Sequence, residues 1–484
     1  MIEKILSHRN KISLMLGSLS VFALPDFYFF PILFLTFPLI LLIEDRAKNF
    51  KESFKTGYWF GFGFFAFGLS WIGNALLTDV INFGWLYPIC LISAGAFFGL
   101  FIALPFMGLH KIKNPFYKII TLAILWVLSE WIRSWILTGF PWNLLGTIWA
   151  GNDYSPQLAS VFGTYGLSFI SVIIFATPFI LLKEVSTKNI IIAALTPILL
   201  IGLLFGYGYY RIKNNPIKFT TKTIRMVQPS IPQTNKWDRK QLESNFDEYI
   251  NLSKKASLDG IDIVIWGETA SPFPLDFDIK KRMEATKAIS KKGLLITGAV
   301  RFEKQNNGEY KPYNSLFAID KKGEIKAIYD KSHLVPFGEY IPLKEKLPFN
   351  VNKITNGLAD FKSGNGNKTI KISDIPKFGA LICYEIIFPS EVTNKNNHPK
   401  WLINLTNDGW YGDSIGPRQH LASAKLRAIE EGIPVVRVAN TGISAIISAT
   451  GIITKSIPLN ENNFIDGLLP KEIKKRTFYS TFIN

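Results

Sequence analysis

Nearly all the long uncharged stretches of this chain fall before about residue 210, while the remainder mixes short apolar runs with Lys, Asn, Asp and Gly. About 20 apolar residues wound as a helix rise roughly 30 Å, the thickness of a hydrocarbon core, and in lipid only helices and closed barrels satisfy their own backbone. The asymmetry therefore predicts a multi-pass α-helical membrane part followed by a water-soluble part. At 484 residues the chain is too long for one ordinary domain, and 48% hydrophobic residues with a mean hydropathy of +0.18 is too apolar for a wholly soluble protein.

Apolar segments run at about 12 to 24, 27 to 43, 56 to 77, 84 to 109, 119 to 138, 164 to 182 and 189 to 210, which makes about seven candidate spans. The first is short and follows Lys4, Arg9 and Lys11, as a signal peptide would. We read it as an uncleaved span, because no small-x-small cleavage site follows it and another apolar segment begins after Pro25. Basic residues collect in alternate loops: Arg46, Lys48, Lys51 and Lys55; then Lys111, Lys113 and Lys118; then Lys183 and Lys188. The loops between, at 25 to 26, 78 to 83 and 139 to 163, contain no Lys or Arg. The positive-inside rule makes the basic loops cytoplasmic and predicts that everything after residue 211 lies on the opposite side.

The formal charge of +17 is partly explained by those loops, and no zinc spacing, RNA-binding aromatic motif or heptad repeat accompanies it, so nucleic acid is not an expected partner. The two cysteines, Cys90 and Cys383, give no disulfide framework. His8, His110, His333, His398 and His420 show no ligand spacing, so a metal site is not expected, and His333 is read as bonding locally; no cofactor is expected. Glu130 and Arg133 interrupt the fifth apolar segment three residues apart on one helix face. They form either a structural ion pair or a headgroup contact beside Thr138-Gly-Phe-Pro-Trp-Asn143. Gly61, Gly63 and Gly68 are read as close-packing positions between membrane helices.

From about residue 222 onward, candidate strands lie near 223 to 228, 261 to 266, 294 to 301, 314 to 319, 325 to 330, 378 to 383, 401 to 405, 434 to 438 and 443 to 448. Helical stretches lie near 238 to 257, 278 to 291 and 417 to 431. This is an α/β pattern, and such sheets present reactive side chains where strands end. Three such residues stand out: Glu268 after Ile261-Asp-Ile-Val-Ile-Trp266, Lys331 after Ile325-Lys-Ala-Ile-Tyr-Asp330, and Cys383 after Phe378, Ala380, Leu381 and Ile382. Singly, each has a plainer reading as core or solvated surface; together, beside Gly, Pro and aromatic turns, they make a candidate site.

The chemistry follows from charge. Only a thiolate attacks well, and an ammonium about 4 Å away at an effective dielectric near 20 contributes about 4 kcal/mol. That is enough to lower a thiol pKa by roughly three units before desolvation and a neighbouring carboxylate oppose it. Glu268 would then be the general base and Cys383 the nucleophile, with Lys331 and the backbone N–H of Tyr384 stabilising the tetrahedral oxyanion. The first product would be a thioester. The loop Asn407-Asp-Gly-Trp-Tyr-Gly412 reads as a turn after a strand, and its role is open.

Trp266-Gly-Glu-Thr-Ala-Ser-Pro272, Tyr329-Asp-Lys-Ser-His-Leu334 with Pro336-Phe-Gly-Glu-Tyr-Ile-Pro342, and Leu381-Ile-Cys-Tyr-Glu-Ile386 resemble the three catalytic blocks of the nitrilase, or carbon-nitrogen hydrolase, superfamily. The amino-terminal spans, Thr138-Gly-Phe-Pro-Trp142 and Gln233-Thr-Asn-Lys-Trp-Asp238 narrow the resemblance to its membrane branch, the apolipoprotein N-acyltransferases. The resemblance implies an α/β nitrilase-like domain, an α-β-β-α sandwich, at 212–470, after a transmembrane helical domain at 1–211. The expected setting is a bacterial inner membrane, with the catalytic domain periplasmic and the chain a monomer. It implies transfer of a fatty acyl group from a phospholipid, usually phosphatidylethanolamine, to the α-amine of a diacylglyceryl cysteine on an apolipoprotein. By matching position it makes Glu268 the base, Lys331 the oxyanion stabiliser and Cys383 the nucleophile, with Trp237, Glu339, Tyr384 and Glu385 in supporting or substrate-binding roles.

A thioester facing a bilayer would meet lipid donors and a lipid-bearing amine with little water present. Apolar loops at Leu334 to Phe349 and Thr138 to Tyr154 are candidates to wall that entrance, with core packing as the alternative. The family usually carries a further membrane helix after the soluble domain. Here residues 471–484, with Lys471, Lys474, Lys475 and Arg476, form a basic tail too short to span. Two other functions share parts of the pattern: a membrane-anchored amidase or nitrilase acting on a small amide, and a non-catalytic receptor or transporter.

Overall fold

The computed structural model describes residues 8–306, 308–342 and 360–483, which form two compact units. The first comprises residues up to Asn215 together with Ser414–Leu426 and Thr477–Ile483. Among its described residues, four helical runs are long and apolar enough to cross a membrane: Ser70–Leu109, Pro115–Arg133, Ser155–Lys183 and Thr187–Asn214. Helices at Arg9–Ser20 and Leu33–Asp45 are shorter, and Phe50–Gly68 carries Lys51, Glu52 and Lys55 in its first turns. The loop expected at 78 to 83, which has no Lys or Arg, is itself helical, because Asp79 caps the turn Val80–Phe83, and the short turn Gly84–Leu86 leads on to the helix Tyr87–Leu109.

The glycines of this unit mark close helix approaches. A Cβ on Gly61 would stand 2.9 Å from Gly99 Cα, one on Gly63 2.3 Å from the Leu14 carbonyl, and one on Gly68 2.7 Å from Asn143 Nδ2. Glu130 and Arg133 are both buried, and both bond to the loop that follows their helix. Glu130 accepts from the Leu145 N–H at 2.7 Å and from Trp126 Nε1 at 3.0 Å, while Arg133 donates to the carbonyls of Phe140 and Trp142 at 2.7 and 2.6 Å. They brace Thr138-Gly-Phe-Pro-Trp-Asn143, and Trp142 to Ala150 are buried as core. Segment 414–426, which the linear reading places with the soluble part, joins the helical unit instead. There Gln419 Oε1 accepts both the Trp71 and the Trp142 indole N–H, at 3.0 and 2.7 Å, so two buried donors are satisfied.

The second unit comprises Pro216–Asp413 and Arg427–Arg476. Its strands are β1 (Phe219–Gln228), β2 (Ile263–Trp266), β3 (Leu294–Lys304), β4 (Tyr310–Asp320), β5 (Ile325–Asp330), β6 (Thr369–Ile372), β7 (Ile375–Ile382), β8 (Trp401–Thr406), β9 (Val435–Ala439), β10 (Ser444–Ile447), β11 (Ile453–Ile457) and β12 (Asn463–Pro470). They form two six-stranded sheets, ordered β12-β1-β2-β3-β4-β5 and β11-β10-β9-β8-β7-β6. Strands β1, β2 and β3 are parallel neighbours, as are β7, β8 and β9.

The two-residue alternation of side chains builds the layers. Ile224, Met226, Ile263, Ile265 and Ile296 of the first sheet share one core with Phe378, Ala380, Ile403, Leu405, Val436 and Val438 of the second. The alternate residues Val227, Val264, Trp266, Leu295 and Phe317 pack instead with Phe246, Tyr249 and Ile250 of the helix Leu242–Lys254. This two-sheet α/β sandwich is the fold that the strand pattern and the resemblance imply. The strands the sequence reading omitted, β6, β11 and β12, are all sheet edges, where half-exposed residues blur the apolar alternation.

Candidate active site

Each of the three chemistry-bearing side chains follows the end of a strand: Glu268 after β2, Lys331 after the edge strand β5 and Cys383 directly after β7. All three are buried. At the Glu268 corner the backbone is close-packed, since a Cβ on Gly298 would lie 2.4 Å from the Thr269 nitrogen. Thr269 and Cys383 both sit in the left-handed region, at φ 44° and 51°. A non-glycine residue held there marks a sharp turn whose conformation the surroundings must enforce, as expected where a strand presents a nucleophile.

Lys331 Nζ lies 3.0 and 2.9 Å from the two carboxylate oxygens of Glu339 and 3.7 Å from Glu268 Oε1. Asn314 Nδ2 bridges the same two carboxylates, at 2.8 Å from Glu268 and 2.9 Å from Glu339, while its carbonyl accepts the Lys331 N–H at 2.8 Å. Glu339 also accepts the Val335 N–H at 2.8 Å, which ties it to its own turn. Glu385 joins the lysine and cysteine loops. Its Oε1 accepts from the Tyr329 hydroxyl at 2.7 Å, from Ser332 N–H and Oγ at 2.8 Å and from His333 N–H at 3.1 Å, and its Oε2 accepts from Ile382 N–H at 2.7 Å.

A ring of polar side chains supports the cysteine from the other side. Asn404 Nδ2 donates to the Cys383 carbonyl at 3.2 Å, and Arg437 donates to Asn404 Oδ1 at 2.7 Å and to Asp408 at 2.6 Å. Thr406 donates to Asp408 Oδ1 at 3.3 Å and its side chain also bonds the cysteine. The loop Asn407-Asp-Gly-Trp-Tyr-Gly412 is therefore part of this scaffold, with Asp408 as its buried anchor.

The electrostatics set the balance that the sequence left open. Burial pushes the Cys383 thiol up to about 12, with the Glu268 charge acting in the same direction and Lys331 opposing it. The opposing desolvation outweighs the ammonium, which Glu339 already engages. The resting group is thus a thiol, and its proton must leave to a base inside the site as sulfur attacks. Burial raises Glu268 as well, against the pull of Lys331 and with the Glu339 charge adding to the rise. Burial alone would lower Lys331, but Glu339 and Glu268 hold it above the ordinary lysine value, so it remains a cation.

The supporting residues divide. Glu339 and Glu385 make the contacts described above. Tyr384 is buried and packs edge-on against Phe388, while His333 stacks on Phe388 at 3.8 Å between ring centres and thus bonds and packs locally. Trp237 is 38% exposed, and it is its neighbour Lys236 that turns inward, donating to the Glu268 carbonyl at 2.8 Å. Sequence reading missed Lys236 and Asn314. The first lay within a quoted motif, and the second within a predicted strand without a signal of its own. The loop Leu334 to Phe349 is described only as far as Pro342; its remainder lies outside the described residues.

Two sheets with a carboxylate, an ammonium and a thiol at their strand ends are the design of a carbon-nitrogen hydrolase, and residues 223–474 match the family model "Carbon-nitrogen hydrolase". Residues 16–177 match "Apolipoprotein N-acyltransferase N-terminal domain". The chain is 40% identical over 473 residues to the apolipoprotein N-acyltransferase of Rickettsia typhi, covering 98% of this chain and 94% of that one. It is 37% identical over 487 residues to the enzyme of that name from Rhodopseudomonas palustris, covering 96% and 90%. The chain belongs to the apolipoprotein N-acyltransferase family.

Proposed function

We propose that this membrane acyltransferase moves a fatty acyl group from a phospholipid, phosphatidylethanolamine in the first instance, to the α-amine of a diacylglyceryl cysteine at the start of an apolipoprotein. The Cys383 thiol attacks the ester carbonyl while Glu268 takes its proton, and Lys331 faces the developing oxyanion. The tetrahedral adduct collapses to a thioester, and the departing lysophospholipid oxygen takes the proton back from Glu268. The acceptor amine then attacks the thioester. Glu268 accepts a proton from nitrogen, and the released sulfur regains one to restore the thiol.

The observation that carries this reading is the buried cluster itself. A thiol that burial keeps protonated lies in the field of a carboxylate whose own proton affinity is raised, beside a lysine that stays charged. Such a set suits proton transfer coupled to attack better than pre-ionisation. Glu339 and Asn314 would fix Lys331 and Glu268, and Glu385 would fix the two loops.

We place the enzyme, as a monomer, in the bacterial inner membrane; the loop charges favour an orientation with the domain beyond residue 220 periplasmic. Purified protein incubated with labelled phospholipid and a diacylglyceryl peptide should gain an acyl mass on Cys383 and pass it to the peptide. Ammonia release from small amides without peptide acylation would favour the amidase alternative, and no acyl mass at all would favour a receptor. Protease added from outside should cut the domain beyond residue 220; protection there would overturn the orientation.

A further inference from the structure

Two buried carboxylates, Glu268 and Glu339, share the Lys331 ammonium unequally: it lies within 3.0 Å of both Glu339 oxygens and 3.7 Å from Glu268. Paired in this way, Lys331 compensates Glu339 first, and the Glu268 carboxylate is left short of a cation in a water-poor site. Asn314 lends it an N–H but no charge. A second buried ammonium makes up the difference. Lys236, 5% exposed at the end of the helix Gln233–Lys236, extends its Nζ to the backbone carbonyl of Glu268 at 2.8 Å.

We propose that Lys236 is the positioning residue of the general base: its ammonium pins the Glu268 backbone next to the left-handed Thr269, and its charge keeps the Glu268 carboxylate in the proton-accepting form. This deepens, and rests on, the reading of Glu268 as base. The hydrogen bond fixes where the carboxylate starts. The charge fixes the pH at which it works, because a cation near a carboxylate favours its ionised form. The other titratable groups facing this pair are Lys331, Glu339, the Cys383 thiol and the Tyr411 phenol, while Asp408 is closed by Arg437 at 2.6 Å. Burial lowers Lys236 to about 8, against the pull of Glu268 and Cys383, so it carries its charge at neutral pH.

Three variants of the full-length protein separate the two parts of the role. Lys236→Arg keeps donor and charge, Lys236→Gln keeps a donor without charge, and Lys236→Met keeps neither. Removing the charge raises the Glu268 proton affinity, so the acidic limb of the pH profile for Cys383 acylation from phospholipid should move to higher pH by about one unit in the Gln and Met variants. In the Arg variant it should stay where the unsubstituted protein has it. Alkylation of Cys383 by iodoacetamide, followed across the same pH series, reads the same proton transfer without lipid. It still tests Lys236 if the unsubstituted protein proves unable to take an acyl group, the result that would sink the proposed function instead. Acidic limbs that remain in place in the Gln and Met variants, or that move equally in the Arg variant, would overturn the role of Lys236.

Discussion

Both units bury charge, and they use it in opposite ways. In the helical unit Glu130 and Arg133 are bonded to fixed backbone groups, and Lys118 is closed by Glu44 at 2.6 Å and Asp45 at 2.9 Å. In the sandwich Glu268, Glu339, Lys331 and Lys236 meet one another around a thiol that none of them neutralises. Burial raises the stakes of every charge equally, but it marks chemistry only where the partners leave a proton free to move. A charge closed by fixed donors, acceptors or a counter-ion does no more than hold the structure around it.

The comparison is broken or sharpened by substitutions at four positions. Cys383→Ala should remove the acyl-enzyme and lower transfer on the order of 10⁴-fold or more, read by mass spectrometry and peptide acylation, with Cys383→Ser leaving at most a trace. Glu268→Gln should slow acylation by about 10²- to 10⁴-fold while labelled phospholipid still binds; normal turnover would remove Glu268 from the mechanism.

Glu385→Gln should have a smaller, mixed effect, because an amide N–H₂ would face hydroxyl and N–H donors on one side or the Ile382 N–H on the other. Acylation should fall about tenfold or more, and thermal unfolding should report a loss of about 1–3 kcal/mol. Arg133→Met should affect chemistry least. Leaving the Phe140 and Trp142 carbonyls without their donor should cost about 1–3 kcal/mol in detergent unfolding, yet acylation per folded molecule should stay within about twofold. A large loss of acylation in folded Arg133→Met would end the distinction between the two kinds of buried charge.

Much of this was legible in the chain. The strand-ending positions of Glu268 and Cys383 could be read because buried parallel strands are short apolar runs that stop abruptly at a polar or reactive residue, and that of Lys331 because the antiparallel edge strand β5 still carries Ile325, Ile328 and Tyr329 up to it. The edge strands β6, β11 and β12 could not, since half their residues face away from any core. Nor could Asn314 or Lys236, each of which is an ordinary polar residue until the fold carries its tip to Glu268. The balance at Cys383 between the Lys331 charge and desolvation could not be read either, because separation along the chain says nothing about the solvent that burial removes.

By itself the sequence determined which segments are apolar enough for a membrane, where the buried strands end and which reactive groups stand there, because periodicity and charge are local properties. Only the tertiary structure decided that segment 414–426 belongs with the helical unit, that Glu385 clamps two loops, and that burial pushes the Cys383 thiol up against the pull of Lys331. Those outcomes depend on desolvation and on contacts between residues far apart in the chain, and neither exists until the chain has folded.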